Sequence, residues 1–265
     1  MAKRKIERKE EQINNYDLTT WSWSFGDISY LTEKTHKDYD FGIVMADTPG
    51  HSKKDGEEIK KQLQTEFLDW HTKENASECI LYLSNSIKKK CKHNKRDWGQ
   101  FNPLEISCIS YTLFNKNKIS MGHANAALPS AIRVTKGKIE YLQEKKSPQI
   151  GLIKNKEVGI NLELYKGDII VLITDGIFEN PCFSNFAFDE RPKLKKEEDI
   201  RIYREKNKRD FMDKLENLLI ENNSKSSSEI SDCIIKNLGN YFLPDKKENE
   251  EKYDDCTITI IKKVA

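Results

Sequence analysis

Aspartates recur in this chain at one kind of position, the boundary between an apolar run and a turn. Asp27 closes Ser24-Phe25-Gly26-Asp27. Asp47 follows Phe41-Gly42-Ile43-Val44-Met45-Ala46 and opens Asp47-Thr48-Pro49-Gly50-His51. Asp175 follows Leu172-Ile173-Thr174 and precedes Gly176, and Asp254-Asp255 lead into Thr257-Ile258-Thr259-Ile260-Ile261. A carboxylate at such an edge loses hydration unless it is paired or bound to a cation. Aspartates spread over more than 200 residues meet only if the strands carrying them are neighbours. Once together they need cations between them, and hard carboxylate oxygens suit Mg2+ or Mn2+, with water in the remaining octahedral positions. Singly, each has a plainer reading. Asp175-Gly176 is a turn, Asp254-Asp255 solvates a strand end, and Asp27 alone says little. The joint pattern is what points to a site.

The elements that must position these residues are legible as periodicities. Trp21 to Leu31 and Phe41 to Ala46 read as strands, the second short and unbroken as a strand covered on both faces would be, with a turn at Thr35-His36-Lys37-Asp38 between them. Ile59, Leu63, Phe67 and Trp70 recur at helical spacing, as do Ile80, Leu83, Ile87 and Cys91, and the polar stretch Thr72 to Asn75 separates the two helices. The basic run Lys88 to Lys92 suits the negative end of the second helix. The longer basic run Lys88 to Arg96 is either a solvated helix end or a dock for an acidic partner. From Leu104 to Leu142 the pattern turns to strands, with turns at Asn115 to Lys118 and Lys136-Gly137-Lys138. Ile169 to Ile173 is a further buried strand. Phe211, Leu215, Leu218 and Leu219 mark a long helix, Ser227-Ser228-Glu229 opens another, and Thr257 to Ile261 is the last strand. Strand runs and helix runs are segregated, which favours an α+β class with antiparallel sheets over a doubly wound parallel sheet.

Composition narrows the function classes. The 265 residues, 37% hydrophobic and 9% aromatic, are enough for a real core. Forty-five Lys+Arg against 43 Asp+Glu leave a net charge of +2, which gives no bulk signature of a nucleic-acid binder. No apolar window is long enough to span a membrane. Residues 1–19 read as a charged, solvated leader without a secretory apolar segment, and 20–265 as one domain. Six scattered cysteines without a Cys-x-x-Cys pair read as reduced thiols, so a cytoplasmic setting is expected. Neither Gly-x-Gly-x-x-Gly nor Gly-x4-Gly-Lys-Ser/Thr occurs, and no cysteine has an arginine six residues downstream, so Rossmann, P-loop and cysteine-phosphatase readings fail.

In order, the motifs are Phe25-Gly26-Asp27, Asp47-Thr48-Pro49-Gly50-His51-Ser52, Met121-Gly122-His123, Thr174-Asp175-Gly176-Ile177-Phe178-Glu179 and Asp254-Asp255-Cys256-Thr257. Ser147-Pro148-Gln149-Ile150-Gly151-Leu152 lies between the third and fourth. This series resembles the metal-dependent protein phosphatases of the PPM (type 2C-like) family, in the bacterial SpoIIE/RsbU branch, over about residues 20–263. That branch carries Gly-Gly-Asp, Asp-x-x-Gly-His-Gly, Ala-Gly-His, Thr-Asp-Gly-x-x-Glu and Asp-Asp-x-Thr. Phe25, Ser52 and Met121 depart from it, and none of the three removes a carboxylate.

The resemblance implies an antiparallel β-sandwich flanked by helices on both sides, in α-β-β-α layers. It implies two Mn2+ or Mg2+ ions bridged by Asp47, with the Thr48 carbonyl on one ion. Asp175 and Asp254 complete the other ion's site, Asp27 acts on the first through water, and Asp255 orients its neighbour. Two such ions lower the pKa of a water and neutralise phosphoryl oxygens, so no protein nucleophile is needed. His51 and His123 are each a general acid or a loop-fixing hydrogen bonder. The substrate implied is phosphoserine or phosphothreonine on a small regulatory protein, of the anti-sigma-factor-antagonist type. Helices 56–91 follow the Asp47 loop, so a rigid shift of them would move that ligand, and they are expected to act as a switch; a sensor domain often precedes this branch and about 20 residues precede the first motif here, so regulation is expected from a separate protein, from these helices, or not at all. The altered glycines motivate the alternative, a catalytically weak or inactive relative that binds a partner protein. A nucleic-acid module through the lysine-rich helices is disfavoured by the near-neutral charge.

Overall fold

The computed structural model describes residues 5–24, 27–47, 53–65, 69–93, 108–115, 117–124, 131–142, 153, 159–174, 176–179, 197–243 and 255–265. β-Branched and aromatic runs form two antiparallel sheets, and the 3.6-residue apolar stripes form helices laid against them. The α+β class with antiparallel sheets is therefore as the segregation of patterns indicates. The chain divides into two units, one made of 1–24, 132–140 and 167–265, the other of 25–131 and 141–166.

The first unit carries β1 (Lys5–Ile13), β2 (Tyr16–Ser24), β7 (Ile132–Thr135), β8 (Lys138–Tyr141), β10 (Ile169–Ile173) and β11 (Cys256–Lys263), in the order β1-β2-β11-β10-β7-β8. Its helices are the short α3 (Gly176–Glu179) and the longer α4 (Glu197–Glu221) and α5 (Ser227–Phe242). Alternation in the strands sends Trp21, Trp23, Ile132, Val134, Ile169, Val171, Ile258 and Ile260 into one core with Phe211, Leu215, Ile230 and Ile234 of the helices. α5 opens on a capping box: the Ser226 hydroxyl accepts from the Glu229 N–H, and the Glu229 carboxylate accepts from the Ser226 N–H at 2.9 Å.

The leader expected as solvated chain is a strand from Lys5 to Ile13, paired along its length with β2. Its charged alternation is what an exposed edge strand needs, since charges on an edge discourage further pairing. Arg8 ties it to α5 through Asp232 and Ser228. The stretch from Trp21 to Leu31, read as one strand, is the end of β2 and the start of β3 (Ile28–Thr32), which belong to different sheets.

The second unit orders its strands β3-β4-β5-β6-β9, with β4 (Phe41–Asp47), β5 (Cys108–Phe114), β6 (Lys118–Ala124) and β9 (Gly159–Glu163). α1 (Lys53–Thr65) and α2 (Ala76–His93) lie against one face, where Ile59, Leu63, Ile80, Leu83 and Ile87 meet Ile28, Val44, Ala46, Ile109 and Leu113. Trp70, placed by its spacing at the end of the first helix, sits instead in a 3-10 turn, Trp70–Thr72. Its indole N–H bonds back to the Leu63 carbonyl at 3.0 Å, so one aromatic both fills the core and satisfies a helix-end carbonyl. Phe41 to Ala46 is buried at every position, as an unbroken apolar run should be.

Candidate functional site

β3 and β4 pair antiparallel with Ile28 opposite Ala46 and Ser29 opposite Met45. One further step along that register sets Asp27 opposite Asp47. Ile28, Tyr30, Val44 and Ala46 point to the helices, so period-two alternation puts Asp27 and Asp47 together on the other face, at the same end of the sheet. Both are half-buried. Directly opposed residues hold their Cβ atoms about 5 Å apart, and like charges so placed repel. Two half-buried carboxylates at that spacing form an all-oxygen donor set for a hard divalent cation. The donor chemistry at this sheet end therefore fits Mg2+ or Mn2+. On the β5 side Asp47 is opposite Cys108, and His123 on β6 is opposite Ser110.

A second pairing joins the other two motifs. Thr174, at the end of β10, is fully buried, as is Thr257 of β11. The Thr174 N–H donates to the Thr257 carbonyl at 3.0 Å, and the Thr257 N–H donates to Thr174 Oγ1 at 2.9 Å. The segments on the near side of Asp175 and Asp254-Asp255 are thereby locked to one another. Asp255, just before β11, is 3% exposed.

Thr48, His51, Asp175 and Asp254 lie outside the described residues. Of the five expected ligand residues, Asp27 and Asp47 are described, and they are neighbours. Among the described residues no three carboxylate, imidazole or thiol side chains cluster as a metal cage.

Sequence reasoning passed over a buried polar node beneath this sheet. His71, in the 3-10 turn between α1 and α2, is 3% exposed. Its Nε2 lies 3.2 Å from the Tyr30 hydroxyl, and its carbonyl accepts from the Tyr111 hydroxyl at 3.4 Å. The Trp70 and Tyr111 rings pack around it at centroid distances of 4.0 and 5.6 Å. Burial, helped by the Lys34 charge, pushes the His71 imidazole down to about 4, and burial pushes the Tyr30 phenol up. At neutral pH the pair is a neutral imidazole beside a protonated phenol. Through it the α1–α2 connection is tied to β3 three residues from Asp27. The sequence signal was one histidine just before a polar gap, and its partner lies 41 residues away.

The family model for Stage II sporulation protein E (SpoIIE) matches residues 40–264. No curated protein matches the sequence. Solved structures match across most of the chain. The RsbU and RsbW domains of Rv1364c from Mycobacterium tuberculosis align at 15% identity and a TM-score of 0.56, over 91% of this chain and 55% of that one. The chain thus spans little more than half of that relative. The PP2C phosphatase domain of SpoIIE from Bacillus subtilis, solved with a fragment of its regulatory domain, aligns at 15% identity and 0.56, over 98% and 71%. The SiaA-PP2C domain of Pseudomonas aeruginosa aligns at 12% and 0.60, over 92% and 85%. At these identities the likeness is one of fold, and the fold is the PP2C type.

Proposed function

The chain belongs to the SpoIIE family of PP2C-type phosphatase domains, and from that premise we propose that it is a metal-dependent protein serine/threonine phosphatase. The observation that carries the reading is that the β3–β4 register brings Asp27 and Asp47 to one end of the sheet, two half-buried carboxylates whose oxygens suit a hard divalent cation. In this reading the chain from β1 onward acts as one phosphatase domain in a cytoplasmic setting, and the substrate is phosphoserine or phosphothreonine on a regulatory protein of the anti-sigma-factor-antagonist type.

Asp47 and the Thr48 carbonyl would help hold one Mn2+ or Mg2+ ion, with Asp27 acting through water, and Asp47, Asp175 and Asp254 would hold a second. When bound, the ions supply a water acidic enough to attack phosphorus near neutral pH, and positive charge against the phosphoryl oxygens. The protein's part is to present the carboxylates of Asp27 and Asp47 at one end of the β3–β4 pair. The helices that follow Asp47 suit a regulator. α1, the 3-10 turn and α2 lie against the other face of the same sheet, and a shift there passes to β3 and β4 through Tyr30, His71 and Tyr111.

Phosphate release from a phosphoserine protein, with Mn2+ and with EDTA, tests the proposal. Activity should require the metal and disappear in Asp47→Asn. Phe25 and Ser52, standing where the branch has glycines, favour the second reading, a partner-binding relative without turnover. A wild-type protein that binds the phosphoprotein but releases no phosphate at any Mn2+ concentration would establish that reading instead.

A further inference from the structure

β1 is paired along its length with β2, yet it adds almost nothing to a core. Every side chain from Ile6 to Gln12 is exposed, Ile6 by 60%. Among the described residues no strand pairs with its outer edge. The chain reverses between β1 and β2 through two residues, Asn14 and Asn15, so Ile13 and Tyr16 form a hydrogen-bonded pair. Bonded and non-bonded pairs alternate from there. Glu7, Lys9 and Glu11 thus spend their backbone groups on β2, while Ile6, Arg8, Glu10 and Gln12 turn theirs toward the open edge. Such a row of outward amides and carbonyls is a template for a further strand.

The charges on β1 deter most strands, but their order admits one. When a second β1 continues the sheet antiparallel, a two-fold axis stands normal to the sheet and opposed residues share a face. Centred on Arg8, this register sets Glu7 opposite Lys9 of the second copy, and Lys9 opposite its Glu7. Both fall at non-hydrogen-bonded positions, where opposed side chains come closest. Centring the pair on Glu7, Lys9 or Glu10 instead sets that charge against itself. Arg8 against itself is the tolerated case, because Asp232 and Glu10 already hold its guanidinium. We propose that β1 is an isologous dimerisation edge: two copies pair antiparallel through β1, centred on Arg8, and join their six-stranded sheets into one. Exposed charge pairs are weak, so the dimer is reversible and concentration-dependent. Dimerisation is independent of the metal-dependent reading, since no metal ligand takes part in it.

Sedimentation equilibrium of the full chain over a concentration series tests this. The wild type should show a reversible monomer–dimer equilibrium. Lys9→Glu makes both cross-copy pairs negative on negative, and Glu7→Lys makes both positive on positive. Each should weaken self-association by about tenfold or more. An equimolar mixture of the two variants should associate as the wild type does, because each presents the sign that the other needs, and that association also shows that both fold. A second measurement needs no variant. Hydrogen exchange at the Ile6, Arg8 and Glu10 amides of the wild type should slow as concentration rises, while exchange at the Lys9 amide, already bonded within the hairpin, should not. A wild type that is monomeric at every concentration, which leaves the edge to a strand of another protein, overturns the assignment. So does unaltered association in both variants, a mixture that fails to associate, or exchange at Arg8 and Glu10 that ignores concentration.

Discussion

Asp27 immediately precedes β3 and Asp47 ends β4, and the pairing of Ile28 with Ala46 brings the two to the same end of the sheet. Like charges brought this close across a strand pair repel, which opposes the pairing of β3 and β4. Asp27→Asn should therefore stabilise the metal-free protein by about 0.2–1 kcal/mol, and it should reduce the further rise in melting temperature on adding Mn2+. Thermal unfolding in EDTA and in excess Mn2+ gives both numbers. A variant less stable than wild type in EDTA would mean that the two carboxylates do not repel.

The same two residues show how much the sequence disclosed. Asp47 was conspicuous because it ends an apolar run with no polar interruption, and β4 is buried from Phe41 to Ala46. Asp27 was named as a ligand without any local sign that it faced Asp47. That relationship is a matter of register, which one residue's slip would have inverted. Elements with strong local chemistry were read correctly, among them α5 with its capping box, β10, and the Lys136-Gly137 turn, where φ is positive at both residues. β1 was not, because a charged edge strand and a solvated tail share one composition. β9 was missed for a related reason: its exposure alternates and only Ile160 and Leu162 mark it. The Thr174–Thr257 exchange is invisible in sequence, where each threonine suits a strand for its β-branching alone.

Close backbone approach at Gly42 gives a sharp packing prediction. A Cβ on Gly42 would come within 2.6 Å of the Tyr111 ring. That ring has nowhere to go, since it packs on Trp70 at 4.8 Å and its hydroxyl is bonded to the His71 carbonyl. Gly42→Ala should cost about 1–3 kcal/mol by urea unfolding, from overpacking rather than backbone strain. In a Tyr111→Leu background the same substitution should cost much less, and equal costs in the two backgrounds would refute the contact.

His71 makes stability fall in acid. Its imidazole is held at about 4 in the fold against 6.5 when exposed, so between those values the unfolded chain binds more protons than the folded one. Stability is then highest above pH 6.5 and declines toward pH 4, by up to about 1.4 kcal/mol per pH unit. Since Tyr30 and Tyr111 hold the 3-10 turn through this residue, the loss should appear first as faster hydrogen exchange around Trp70 to Thr72. His71→Gln, which keeps a hydrogen-bonding group without the titration, should flatten the stability profile over this range. A profile that stays equally steep would place the acid sensitivity elsewhere.

Arg133 of β7 is 7% exposed and bonds the carboxylate of Asp168, 3% exposed, through Nε at 3.1 Å and through Nη2 at 2.5 Å. Glu140 of β8 adds a contact at 3.3 Å, but its side chain is 47% exposed. Burial decides what each contributes. Glu140→Gln should change stability by less than about 1 kcal/mol, because solvent screens that pair. Asp168→Ala should cost about 3–5 kcal/mol, since it removes the buried carboxylate that both Nε and Nη2 of a buried guanidinium bond. Most of that cost is the stranded charge rather than the lost attraction. Replacing both partners by apolar residues of similar volume, Arg133→Met with Asp168→Leu, should therefore recover much of the loss. Chemical denaturation of the three variants checks the order. A double variant as unstable as Asp168→Ala alone would mean that the ion pair itself, and not the stranded guanidinium, carries the energy.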